Sequence, residues 1–260
     1  RIKLPDPIPD PKTPFRVLGF GDTKRSVLTA IRTKPFVLLA GLSGTGKSRL
    51  VRTLAYMTCH DSQLRDNPSK PGNFELIAVK PNWHDSSELM GYVSRINGEK
   101  YLSTPFLKFL AKAWKFPNVP FFLCLDEMNL APVEQYFAEY LSIVETRAMR
   151  EGEISSDYLL AKSQFENPKL YEQLLADLGL KGEAGFAEGI SIPTNFVVIG
   201  TVNMDETTHS FSRKVLDRAM TFEMNQVELG SGLDQAVSDW SYPEAFIPAK
   251  DVIGDYSAGS

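Results

Sequence analysis

The chain has 260 residues, 43% of them hydrophobic and 23% charged, with a net charge of −4. That length and composition suit one large α/β unit with appendages and exclude a low-complexity or fibrous chain. The mild acidity argues against a strongly basic nucleic-acid surface, and no apolar run approaches the roughly 20 residues of a membrane-spanning helix. Cys59 and Cys124 lie in apolar surroundings with no C-x-x-C pattern and read as reduced core thiols. No leader-like segment precedes the first strand, so the expected location is the cytoplasm. A chain that begins at Arg1 is expected to be part of something longer.

Residues 1–14 carry Pro5, Pro7, Pro9, Pro11 and Pro14 and read as an extended linker ahead of a core over 15–224. A short helical pattern over 23–31 leads into an apolar run at 36–40, long enough for a buried strand and too short for a helix. Gly41, Leu42, Ser43, Gly44, Thr45, Gly46, Lys47 and Ser48 then fit the phosphate-loop pattern G-x-x-x-x-G-K-[ST]. With Arg49 they form the candidate nucleotide-binding stretch. The glycines let backbone N–H groups close around phosphate oxygens. A helix opening near Gly46 adds its positive dipole end. Lys47 carries the charge that reaches the terminal phosphates, and the Ser48 hydroxyl is placed to ligate Mg²⁺. Leu50, Val51, Leu54, Ala55 and Met57 give that helix one apolar face.

Residues 61–73 read as polar loop and 74–80 as the second strand. Ser86 to Met90 predicts a capped helical turn that stops at Gly91. Asn97-Gly98, set among alternating residues over 92–102, predicts a hairpin. Residues 105–115 read as helix, with Pro105 in the first turn where its missing N–H is harmless. Residues 119–125 are almost unbroken in hydrophobicity, as a central parallel strand is, and deliver Asp126 and Glu127 at the carboxyl end. Residues 132–147 predict one amphipathic helix with Val133, Tyr136, Phe137, Tyr140, Leu141 and Val144 on a shared face. Residues 149–193 interrupt the alternation with a leucine stripe, Leu170, Leu174, Leu175 and Leu178, stopped by Gly179. Another buried strand is expected at 196–201 with Asn203 just beyond it, then a helix over 212–219 and a last strand over 220–224. Residues 225–260 read as a tail or incomplete lid, with 254–260 expected to be disordered. His60, His84 and His209 lack metal-ligand spacing, and Trp83 reads as a packing side chain.

Strands alternating with helices, and chemistry-bearing residues at strand carboxyl ends, predict an α/β fold. Its expected centre is a five-stranded parallel sheet flanked by helices. A β-hairpin insertion follows strand 2, and a helical insertion precedes strand 4. Asp126 at the tip of an apolar strand suits a Mg²⁺ ligand, alongside Ser48. Glu127 beside it can orient and deprotonate an attacking water. Paired acids there suit hydrolysis better than transfer to a small acceptor. The amide of Asn203 can hydrogen-bond the water or the γ-phosphate without competing for metal.

The segments Gly-Leu-Ser-Gly-Thr-Gly-Lys-Ser, Leu-Asp-Glu-Met-Asn-Leu-Ala, Gly-Thr-Val-Asn-Met-Asp-Glu-Thr-Thr and Phe-Ser-Arg-Lys-Val-Leu-Asp-Arg-Ala resemble the core of an AAA+ ATPase. Within that superfamily they are most similar to the McrB group, the NTP-hydrolysing motor subunits of McrBC-type modification-dependent restriction systems. The resemblance covers residues 15–224. It implies that Lys47 and Ser48 are the Walker A lysine and Mg²⁺ ligand, Asp126 and Glu127 the Walker B acids, and Asn203 sensor 1. Asn129 matches the asparagine that follows those acids in related members. Asn203 and Asp205 match the McrB signature Met-Asn-x-x-Asp, with Val202 in place of its methionine and Asp205 one position early unless Glu206 takes the role. Arg218 resembles the arginine finger, with Arg213 in reserve.

The resemblance further implies a ring, hexameric in such motors, that uses ATP or GTP with Mg²⁺. A nuclease partner subunit would perform cleavage, and DNA would be reached only through domains outside this segment. The base pocket is expected at residues 15–20, which hold no pattern that selects adenine or guanine. Two other readings stand beside this one. A MoxR-type remodelling ATPase shares the acid–acid–x–Asn segment, and a nucleotide-dependent switch would bind without turning over. Retention of Glu127 argues against the switch, and Asn203-Met204-Asp205 favours McrB over MoxR.

Overall fold

The computed structural model describes residues 21–65, 71–150, 153–204, 209–224 and 246–253. In chain order, α1 (Gly21–Thr33), β1 (Phe36–Gly41), α2 (Lys47–Thr58) and β2 (Phe74–Ala78) lead to the one-turn α3 (Ser87–Met90). The hairpin β3 (Tyr92–Ser94) and β4 (Lys100–Leu102) precedes α4 (Pro105–Lys115), β5 (Phe121–Asp126), α5 (Val133–Tyr136) and α6 (Ala138–Val144). An insertion of β6 (Ala148–Arg150), β7 (Glu153–Ser155), β8 (Tyr158–Ala161), α7 (Pro168–Leu178) and β9 (Gly189–Ser191) comes before β10 (Phe196–Asn203). Then α8 (Arg213–Leu216) and β11 (Met220–Glu223) follow.

Five strands pair in parallel in the order β11-β1-β10-β5-β2, so neighbours in space are not neighbours in sequence. Strands paired in parallel need crossovers, and here they put helices on both faces. The side chains follow the period of two. Phe36 and Leu38 of β1, Phe121, Leu123 and Leu125 of β5, and Phe196 and Val198 of β10 enter one core with α4 to α8. Val37, Leu39, Phe122, Cys124, Val197 and Ile199 enter the other, against α1 and α2. Because both faces are covered, β1 and β10 are buried along their whole length. Cys59 and Cys124 are buried free thiols.

Several expectations shift by a physical cause. The helix expected over 132–147 is two pieces, because Phe137 sits at φ −110°, ψ 8° between α5 and α6. There its ring stacks on Tyr140 at 4.5 Å and meets Phe36 at 5.5 Å. The helix expected over 212–219 contracts to the four residues of α8. Ser86 does not cap α3; Asp85 Oδ1 accepts the Ser87 N–H at 2.8 Å instead. Hydrogen bonds from the Ser87 side chain and backbone hold the Asp85 carboxyl below the usual range. Two short antiparallel pairs, β6–β7 and β8–β9, stand where only a helix was expected. Gly179, at φ 64°, does end α7, and Asn97 and Gly98 carry the positive φ values of the β3–β4 turn. Trp83 packs edge-on against Tyr136. Of the expected tail, residues 246–253 are described: Ile247 and Val252 sink into the core beneath α1 and α2. The expectations for 1–14, 15–20 and 254–260 fall outside the described residues.

Candidate nucleotide site

β1 ends at Gly41, whose missing side chain matters: a Cβ there would sit 2.4 Å from the Met224 carbonyl oxygen. The exposed loop that follows turns at Gly44 and Gly46, both at φ 79°, a region that a β-carbon disfavours. Gly46 is the N-cap of α2, with no side-chain cap and no acid in the first turn. A twelve-residue helix that opens without either presents its positive dipole end at the loop. Lys47 is buried, and its ammonium donates to the carbonyls of Gly41 at 3.0 Å and Leu42 at 2.6 Å. The ammonium thus folds back on its own loop.

The register of the sheet sets the rest opposite this loop. Asn203 is the Cα partner of Gly41, and Leu125 pairs with Gly200. Hence the carboxyl ends of β1, β10 and β5 lie side by side, at the place where strand order departs from chain order and α/β sheets bind ligands. Ser48 Oγ donates to Asp126 Oδ1 at 2.6 Å, and Thr201 Oγ1 donates to the same oxygen at 2.7 Å. Glu127 adopts φ 54°, ψ 50°, a left-handed conformation. Its N–H donates to Thr201 Oγ1 at 2.9 Å, and its Oε1 accepts from the Asn203 amide at 2.9 Å. Asn129 supports the asparagine by donating to its backbone carbonyl at 3.3 Å. The Cys124 thiol, below Asp126, is pushed up by burial and then by that carboxylate, which keeps it protonated.

Lys47 and Ser48 at the start of α2, Asp126 and Glu127 at the end of β5, and Asn203 at the end of β10 are thus brought together. Asn203 is the last residue of β10 rather than a loop residue beyond it. Thr201, which bridges both acids, was not anticipated. The available signal was a lone hydroxyl in a buried apolar strand, two positions before Asn203 and so on the same face. The donor set fits Mg²⁺: hydroxyl and carboxylate oxygens stand beside a phosphate cradle. Among the described residues no group of three His, Cys, Asp or Glu side chains could hold a metal.

Arg218 lies apart from these groups. Its guanidinium pairs with Glu145 at 2.5 Å and donates to the Lys214 carbonyl at 2.5 Å; 18% of the side chain is exposed. Arg213 is exposed at the start of α8. Asp205 falls outside the described residues. Nearby, burial works to raise the Glu134 carboxyl, but hydrogen bonds from Ser212 and the charge of His209 outweigh it and hold it low. This carboxylate accepts the Ser212 N–H at 2.8 Å and so pins the start of α8.

Comparison with known proteins gives a family match over most of this geometry. The model for the AAA domain, dynein-related subfamily, matches residues 36–220. Among solved structures, a candidate ATPase of Cytophaga hutchinsonii aligns at 17% identity and TM-score 0.37, over 80% of this chain and 48% of that one. PCH-2 of C. elegans aligns at 14% identity and TM-score 0.30, over 78% of this chain and 43% of that one. This chain therefore spans about half the length of either. The search of curated proteins gave no match. Among the described residues, no helix is long and apolar enough to cross a membrane.

Proposed function

Since this chain belongs to the AAA domain family, in its dynein-related subfamily, we propose that it hydrolyses nucleoside triphosphates with Mg²⁺ at the site described above. The observation that carries this reading is the Asn203–Glu127 hydrogen bond at 2.9 Å, which aims a second acid beside the Ser48–Asp126 pair. Binding alone needs one carboxylate; a second one, oriented by a neutral amide, serves a water.

In the proposed reaction, Lys47 exchanges its two backbone carbonyls for terminal phosphate oxygens, and the N–H groups of residues 44–48 cradle the rest. Ser48 and Asp126 would hold Mg²⁺, which when bound neutralises charge on the β- and γ-phosphates. Glu127 takes a proton from water as the water oxygen bonds to the γ-phosphorus. The bond from that phosphorus to the β,γ-bridging oxygen breaks, giving nucleoside diphosphate and phosphate. Asn203 holds the Glu127 carboxylate in place throughout.

The finer reading is a ring-forming motor of the McrB type, with a nuclease partner and with DNA reached through other domains. Its support is the Asp126-Glu127-Met128-Asn129 and Asn203-Met204-Asp205 segments. In such a ring Arg218 acts on the neighbour's γ-phosphate, a contribution of roughly 10³ to 10⁵ in rate where arginine fingers operate. To do so it leaves the Glu145 carboxylate and the Lys214 carbonyl. Subunit mixing tests this part. Arg218→Ala and Lys47→Ala subunits should each be inactive, yet regain turnover together, because an intact arginine then faces an intact phosphate loop. No recovery in co-assembled mixtures contradicts the trans role and moves it to Arg213. ATP and GTP tested in parallel identify the nucleotide, and GTP preference favours the McrB reading.

A further inference from the structure

We propose that Thr201 is a positioning residue that locks the metal-side acid and the water-side acid into one unit; this rests on the hydrolytic reading above. Thr201 is 1% exposed, two positions from the carboxyl end of an apolar strand, where a hydroxyl needs partners. It has one proton to give and lone pairs to receive, and both capacities are used. The proton goes to Asp126 Oδ1 at 2.7 Å, and a lone pair takes the Glu127 N–H at 2.9 Å. Ser48 gives its proton to the same Oδ1 at 2.6 Å. With its proton committed, Ser48 keeps its lone pairs for a cation.

The second bond explains the backbone. Glu127 stands at φ 54° directly after β5, and outside glycine this region is sparsely populated. A left-handed residue there turns the chain sharply out of the strand and swings the carboxylate across to Asn203 on β10. Thr201, on that same strand, holds the N–H that fixes the turn. One side chain therefore sets the rotamer of Asp126 and the backbone that aims Glu127. It touches neither nucleotide nor water in this scheme, so its effect on rate passes through the two acids.

The decisive variant is Thr201→Val, which keeps the shape and removes both bonds. We expect kcat to fall about 10- to 100-fold, the scale of losing charge-assisted hydrogen bonds to the acids. KM should change less than about threefold, because the phosphate cradle is untouched. Thr201→Ser should recover most of kcat. Independently of turnover, amide hydrogen exchange at Glu127 in nucleotide-free protein should accelerate at least about tenfold in Thr201→Val and not in Thr201→Ser. If Thr201→Val does not fold, Thr201→Ala carries the same test. Unchanged kcat in Thr201→Val, alongside an inactive Glu127→Gln, overturns the positioning role and leaves the hydrolytic reading standing. Exchange that accelerates across the whole core, with kcat and KM both altered and no rescue by serine, also overturns it in favour of plain packing. A wild-type protein that binds nucleotide without turnover overturns both readings together.

Discussion

Replacing Asn203 by alanine separates an orienting role from a phosphate-binding one. The buried amide donates to Glu127 Oε1 at 2.9 Å, and alanine removes that donor while leaving the backbone of β10 in place. A hydrogen bond to a charged group is worth about 1.5–3 kcal/mol. At about 1.4 kcal/mol per tenfold, losing it in the reacting state costs roughly 10- to 150-fold in rate. Glu127 is only half-buried, and water can replace part of the lost bond, so the lower half of that range, about 10- to 50-fold, is the expected outcome. Nucleotide affinity should stay within about threefold, since the Lys47 and backbone contacts persist. The assay is steady-state phosphate release, with calorimetry of a nonhydrolysable analogue alongside. Asn203→Asp, which sets a second carboxylate against the first, should lose at least as much. An unchanged kcat with a raised KM would refute the reasoning, because it would place the amide on the phosphate instead of on Glu127.

Two further outcomes follow from the same geometry. Lys47→Ala should abolish nucleotide binding in calorimetry, because the backbone cradle supplies only partial charges without the ammonium; retained affinity would contradict the phosphate-loop assignment. Burial lifts the Tyr101 and Tyr171 phenols to about 12, while in the unfolded chain they ionise near their ordinary value of about 10. A raised folded value means that this stability is fully present below about pH 10 and is lost as pH rises toward 12. Urea midpoints should therefore drop between pH 10 and pH 12, and a flat profile there would contradict it.

Much of the site was legible because its signals are local. Gly44, Gly46, Lys47 and Ser48 are fixed by the conformation of one loop, and Asp126 and Glu127 by the end of one apolar run. Register was not legible. Asn203 lies opposite Gly41, and Thr201 faces two residues some 75 positions earlier. The buried amide of Asn195, just before β10, reaches the carbonyls of Ala113 in α4 and of Phe116 and Val119 in the loop after it, a contact that no local pattern announces. The pairs β6–β7 and β8–β9 are three or four residues per strand, too short for a period to register. In 132–147 the apolar face was read correctly. The break was not, because stacking of Phe137 on Tyr140 and its contact with Phe36 on β1 outweigh helix propensity at that point. The partner of Arg218 is likewise a matter of tertiary placement: Glu145, the carboxylate at the end of α6, is far from it in sequence.

The most direct test of the account is Glu127→Gln measured for binding and turnover in the same preparation. Glutamine keeps the size of the side chain and its bond to Asn203 but cannot take the proton from water. The account predicts analogue and Mg²⁺ binding within about threefold of wild type, with phosphate release slowed on the order of a hundredfold or more. Normal turnover by Glu127→Gln would contradict it and reduce Glu127 to a structural turn after β5.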